Sequence, residues 1–239
     1  MSYAGGQPNE TNPRWTAVDH YSFSHLHPPS STSPTNRVLD AAVANSEKHG
    51  LPNIAVSPSQ GKFLMLQAQL LRAQNVLEVG MLGGYSSIWL ASASPDIRVT
   101  TVGVDGRHVA IARENLVTAG APARVEVIVG AGLDVLPKLV KEAQGSAREK
   151  FNLVFINADK QNNWAYVDHA LSMRVKGACI IVDNVVRKGM LADSNTTDSR
   201  ILGARKVVEE VGKDERLDGV VLQTVGEKNY DGFLMAIAK

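Results

Sequence analysis

The sequence predicts an α/β protein: a doubly wound, mostly parallel seven-stranded sheet with an antiparallel last strand, preceded by a helical and loop extension. Three observations carry this expectation. From Val76 to Asn184, short β-branched runs alternate with helical patterns, which implies right-handed crossovers and a sheet covered on both faces. Five of those runs end on glycine or on small or polar residues, as strands do when they feed a binding edge. Finally, Val220–Val225 and Phe233–Ala238 are joined only through Gly226–Gly232, too short a link for a helical crossover, so these two pair antiparallel.

In chain order, residues 1–34 are rich in Pro, Ser, Asn and Thr and read as a flexible N-terminal arm, with residues 35–239 as a single domain. Within the arm, Arg14–Leu26 holds Trp15, Tyr21 and Phe23 and is too apolar for a solvated tail. It is expected to dock on the body, on a partner subunit, or over the site as a lid. His20, His25 and His27 match no zinc spacing. Thr35–His49 has helical spacing and stops at Gly50. Leu51–Ser59 is an extended connection, and Ser59–Gln74 is an amphipathic helix with Phe63, Leu64, Leu66, Leu70 and Leu71 on its apolar side. Strands follow at Val76–Val79, Arg98–Val104, Arg124–Val129, Phe151–Ile156 and Gly177–Val182. Helices are expected after the glycine turn and at Arg107–Ala119, Leu133–Gln144, Trp164–Met173 and Arg200–Gly212.

A formal net charge of +1 leaves no electrostatic footprint for nucleic acid or an anionic membrane. No apolar run is long enough to span a bilayer, and Met1–Asn12 lacks the apolar core of a secretory signal. The single cysteine, Cys179, lies in an apolar strand-like run and reads as a small buried hydrophobe. A cytoplasmic setting fits these features.

The chemistry collects at the strand ends. Val76–Val79 runs through Gly80, Gly83 and Gly84 into a helix, a turn that brings backbone N–H groups close to a ligand. The spacing is G-x-x-G-G and not the dinucleotide G-x-G-x-x-G, and Glu78 would crowd a pyrophosphate. The turn therefore favours a nucleoside with an amino-acid tail. Asp105 ends the second strand and either accepts the hydroxyls of a ribose or caps the next helix. Gly130-Ala131 offers a flat edge for an adenine, or is one more strand-to-helix turn. Asn157, Asp183 and Asn184 are oxygen donors suited to a hard cation such as Mg²⁺, Ca²⁺ or Mn²⁺. Lys160 reaches the same point and can act as a general base where a neighbouring cation depresses its pKa. Turn and cap chemistry accounts for these four residues equally well.

From about Ala55 to Lys239 the chain resembles the cation-dependent catechol and caffeoyl-CoA O-methyltransferases, S-adenosylmethionine enzymes of the Rossmann-like class I methyltransferase fold. The matching segments are Val56–Phe63, Leu77–Gly80 with Gly84-Tyr85-Ser86, Asp105, Phe155–Lys160 with Asn162, Val182–Asn184 and Tyr230–Gly232. Residues Arg14–Pro29 bear a looser similarity to the extension of fungal small-molecule members. The resemblance implies S-adenosylmethionine held by Val56 and Ser57 at its methionine portion, with Glu78, Gly80, Gly84, Tyr85 and Ser86 around it. It sets Asp105 on the ribose, Gly130 and Ala131 beside the adenine, and Asn157 bordering the cofactor. It also implies a divalent cation on Asn157, Asp183 and Asn184, Lys160 as catalytic base, a phenolic acceptor and a homodimer. Asn157 departs from the pattern, which normally has aspartate there, so the metal site is expected to be weakened. Trp164, Arg14–Leu26 and Arg187–Ser199 are candidates for the acceptor wall. Two other readings are a metal-independent O-methyltransferase and a catalytically silent S-adenosylmethionine-binding homologue.

Overall fold

Where composition predicts an arm, the chain forms a helix, α1 (Pro13–Leu26). The computed structural model describes residues 11–30 and 33–239; the flexible segment expected at the remaining N-terminal positions lies outside the described residues. The start signal of α1 is local: the Asn12 side chain accepts from the Arg14 amide at 3.0 Å, and Pro13 opens the first turn. No residue of α1 itself is buried. It is held by a clasp and an anchor. In the clasp, Asp19 accepts from the Ser59 hydroxyl at 3.3 Å and from the Glu227 amide at 2.8 Å. The anchor is His27 just beyond the helix, whose ring lies 4.9 Å from Phe23 and 5.1 Å from Trp89. His27 Nε2 is 2.9 Å from the Pro34 carbonyl and Nδ1 is 3.4 Å from Lys62 Nζ. The Lys62 ammonium can only donate, so His27 is neutral with its proton on Nε2; burial and Lys62 both lower its pKa. Residues Pro13–His27 thus rest on the body, with His27 packed in, His20 beside Glu227 at 3.4 Å and His25 exposed. Asp19→Ala is expected to speed amide exchange across Pro13–Leu26 while costing the whole protein no more than about 1 kcal/mol.

Helices α2 (Asn36–Lys48) and α3 (Pro58–Leu70) begin at caps from Thr35 and Ser57. The buried stripe of α3 is Gly61, Leu64, Met65 and Ala68, whereas Leu66 and Leu70 face solvent. The apolar side expected from residue type is therefore corrected. Leu64 is buried as expected and Phe63 and Leu71 pack partly on the core, but Gly61 and Ala68 share the stripe, because Gly61 lies against the Trp89 indole and leaves no room for a side chain.

The sheet holds β1 (Asn75–Val79), β2 (Arg98–Gly103), β3 (Val125–Val129), β4 (Phe151–Ile156), β5 (Arg174–Asp183), β6 (Leu217–Val225) and β7 (Tyr230–Ala238). Their order is β3-β2-β1-β4-β5-β7-β6. The first five pair in parallel; β7 runs antiparallel between β5 and β6. The crossovers are α4 (Tyr85–Ala91), α5 (Gly106–Thr118), α6 (Gly132–Gln144), α7 (Asn163–Leu171) and α8 (Ser199–Lys213).

Alternation along the strands builds two cores. Val76, Val99, Leu153, Phe155 and Ile181 pack with α3, α4 and α5, while Leu77, Val102, Val154, Ile180 and Val182 pack with α6, α7 and α8. Cys179 belongs to the first layer, and burial pushes its thiol up to about 12, so it is no nucleophile. Among the described residues, no helix is long and apolar enough to cross a membrane.

Candidate active site

The carboxyl ends of β1 and β4 are pressed together. The amides of Gly80 and Met81 both donate to the Val102 carbonyl at 3.0 Å, and the Asn157 amide donates to the Val79 carbonyl at 2.8 Å. Gly80 has φ +113°, and a Cβ there would sit 2.3 Å from the Asn157 carbonyl oxygen. Only glycine allows that approach. The glycine turn ends on Gly84 at φ +79°, which starts α4 without a side-chain cap. Tyr85 is buried behind it, and Ser86 is half-buried. Asn115 of α5 donates to the Gly83 carbonyl at 2.9 Å and accepts from Asn45 of α2 at 2.9 Å, fixing the turn from behind.

Glu78 is fully buried, and its Oε2 accepts from Thr101 at 2.6 Å and from Ser87. The hydroxyls facing it thus come from β2 and α4. Burial raises its pKa against the pull of the Ser86, Ser87 and Thr101 hydroxyls, and Oε1 has no hydrogen-bond partner among the described residues. Asp105 accepts from the amides of Arg107 at 2.8 Å and His108 at 3.3 Å, so it caps α5. Those bonds lower its pKa. Asp105 uses Oδ1 for the cap, while Oδ2 lies 3.7 Å from the exposed Arg107 guanidinium and keeps room for a further donor. Ser57 caps α3 beside the buried Val56, and Gly130-Ala131 precede α6.

Lys160 lies in a short 3₁₀ turn after β4, and its side chain is buried. Nζ donates to Asn157 Oδ1 at 2.8 Å and to the Asp183 carbonyl at 3.2 Å. Burial pulls its pKa down to about 8, against the pull of Asp183 in the other direction. Asp183, ending β5, accepts from Gln60 Nε2 of α3 at 2.6 Å, and burial pushes its carboxyl up. Asn184 follows in the left-handed region at φ +55°. The 3₁₀ turn is held by Asp159, which accepts from Tyr166 at 2.5 Å and from Asn162. Asp231 of β7 accepts from the amides of Arg187 at 2.8 Å and Gly232 at 2.9 Å, tying down the loop after β5.

Asn157, Lys160 and Asp183 are therefore brought into direct contact, and Glu78 and Gly80 adjoin them across β1 and β4. Asp105, Gly130 and Ala131 stand at the same edge of the sheet, one and two strands further out. Gln60 and Asp231 stand in the matching segments without a role assigned from sequence, and Asn115 and Gly203 are contributors found only in the structure. Gly203 of α8 packs directly on the lysine turn: a Cβ there would lie 2.2 Å from the Lys160 carbonyl oxygen. Glycine-to-alanine exchange inside a helix ordinarily stabilises by up to about 1 kcal/mol. Here Gly203→Ala is expected to displace Lys160 instead, lowering turnover roughly tenfold or more with little change in cofactor affinity, as steady-state kinetics and calorimetry would read.

Of the proposed acceptor wall, Trp164 is half-buried against the layer of α6, α7 and α8. Beneath α1 a cavity of about 260 Å³ is lined by Asp19, Phe23, His27, Pro58, Ser59 and Glu227. Ser59 adjoins Gln60, the residue that reaches Asp183.

These features define a Rossmann-like α/β protein whose binding edge is the carboxyl end of its parallel strands, with an amine buried at that edge. The sequence pattern of the O-methyltransferase family matches residues 29–236. The chain is 47% identical over 230 residues to "O-methyltransferase imqG" of Aspergillus flavus, covering 95% of this chain and 92% of that protein. It is 47% identical over 203 residues to "Catechol O-methyltransferase" of Mycobacterium tuberculosis, covering 84% of this chain and 88% of that protein. The crystal structure of an O-methyltransferase from Bacillus cereus in complex with SAH superposes with a TM-score of 0.87 at 42% identity, covering 95% of this chain and 99% of that one. The chain belongs to the O-methyltransferase family.

Proposed function

We propose that the protein transfers the methyl group of S-adenosylmethionine to a phenolic or catechol-type hydroxyl, with Lys160 as the catalytic base. The observation that carries this reading is the buried Lys160 nitrogen, fixed between Asn157 Oδ1 and the Asp183 carbonyl at the binding edge. Its lowered pKa makes a neutral amine accessible near neutral pH. The bound SAH of the Bacillus cereus relative and the name of the Mycobacterium tuberculosis relative support the cofactor and the acceptor class.

Val56 and Ser57 would hold the methionine portion, with Gly80, Gly84, Tyr85 and Ser86 around it and Asp105 Oδ2 on the ribose. Gly130 and Ala131 would border the adenine. Glu78 Oε1, without a hydrogen-bond partner among the described residues, is an acceptor that fits a cationic amino-acid tail. When bound, S-adenosylmethionine supplies an electrophilic methyl carbon, whose bond to sulfur breaks with the electron pair staying on sulfur as the new O–C bond forms. Lys160 takes the hydroxyl proton, and the resulting ammonium stays beside the reacting oxygen. An acceptor ring seated in the cavity under α1 would have an apolar wall in Phe23 and Pro58. A homodimer, implied by the family resemblance, belongs to the same proposal and is read by native mass.

Incubation with S-adenosylmethionine and a panel of catechols is expected to give a singly methylated acceptor and one equivalent of S-adenosylhomocysteine. If the purified protein shows no calorimetric affinity for either cofactor form, this reading fails.

A further inference from the structure

Two of the three residues expected to hold a divalent cation, Asn157 and Asp183, already have a side-chain oxygen engaged within the chain. Asn157 Oδ1 receives Lys160 Nζ at 2.8 Å, and Asp183 Oδ1 receives Gln60 Nε2 at 2.6 Å. Asp231, the next carboxylate toward this cluster, accepts from two backbone amides. Asp183 is thus the one carboxylate in a donor set completed by amides. Among the described residues no group of three His, Cys, Asp or Glu side chains is arranged to hold a metal ion. A small hard cation surrenders its water reluctantly and is compensated chiefly by carboxylate charge. It would also have to share Asn157 Oδ1 with a lysine nitrogen that is itself cationic when protonated. The residues present do not fit a divalent cation.

We infer that this site works without a divalent cation, and that Asn157 is a positioning residue that holds Lys160 where a metal ligand would otherwise stand. The inference rests on the methyltransferase reading above. An amide suits that task. It accepts from the lysine without adding a charge that would bind the ammonium tightly, and it has no negative charge to attract a metal. Asp183 contributes its backbone carbonyl to the lysine and its carboxylate to Gln60, so protein groups join α3, the turn after β4 and β5 at one point.

The test pairs metal binding with turnover. Mn²⁺ titration followed by electron paramagnetic resonance is expected to show no protein-bound ion in the native chain, and excess chelator to leave methyl transfer unchanged. Asn157→Asp restores a second carboxylate and is expected to bind Mn²⁺ about tenfold or more tightly than the native chain. Asn157→Ala is expected to lower kcat roughly ten- to a hundredfold with KM for S-adenosylmethionine little changed, the split of a displaced base. Stoichiometric Mn²⁺ on the native chain, or loss of its turnover with chelator, overturns the inference. So does an Asn157→Ala variant with native kcat. Calorimetry with S-adenosylhomocysteine separates the two levels: without cofactor binding the methyltransferase reading fails, while the Mn²⁺ titration still decides the question of the ion.

Discussion

Lys160→Met is expected to lower kcat by roughly 10²- to 10⁴-fold while leaving affinity for S-adenosylhomocysteine within about twofold. Methionine keeps the length and apolar stem of lysine, so the buried volume stays filled and the loss falls on the amine. The pH profile of the native chain supplies the companion result. Burial lowers the Lys160 pKa to about 8, so the neutral form that accepts a proton grows as pH rises toward that value. Turnover is therefore expected to climb from pH 6 to about 8 and then level off. The sign follows from which form works: were the ammonium alone the active species, activity would fall over the same interval. A Lys160→Met variant with near-native kcat would remove the residue from the mechanism.

Gly80→Ala is the second large effect. At φ +113° an alanine is strained, and its Cβ would meet the Asn157 carbonyl oxygen at 2.3 Å. The neighbour is backbone at the end of β4, so no rotamer change relieves the contact. Strain and displacement together are expected to cost about 2–4 kcal/mol, lowering Tm by roughly 5–15 °C. What remains folded should also turn over more slowly, because the segment pushed aside carries Asn157 and Lys160. A Tm within about 1 °C of the native chain would show that β1 and β4 can separate freely at this point.

Much of this architecture is legible in residue order. Alternation from Val76 to Asn184 marks all five parallel strands, and the short Gly226–Gly232 link marks the antiparallel pair. Where the reading failed, the cause is physical. Asn12 and Pro13 form a helix start that a polar composition hides, so Arg14–Leu26 is read as a docking piece without its helix bounds. Gly177, at φ +78°, looks like the beginning of β5, yet the strand starts at Arg174; pairing with β4 shifts register between Phe151 and Leu153 to take it in. The strand-end rule finds Asn157, Lys160 and Asp183, because topology alone places them at one edge. It cannot find Gln60, whose bond to Asp183 spans 123 positions and depends on how α3 docks. Nor can it tell that Glu78 faces the hydroxyls of Ser87 and Thr101, since strand alternation says which face a side chain takes but not what waits there.

The placement of β7 has a consequence for how the molecule comes into being. It follows β6 in the chain yet lies between β5 and β6, where Ile181 pairs with Met235 and Val220 with that same Met235 from the other side. During synthesis β6 emerges with no partner it can zip onto and must wait for a strand not yet made. A nascent chain stalled before Phe233 would therefore carry two open, apolar β-edges, and chaperone capture at that length should exceed capture at any earlier strand boundary.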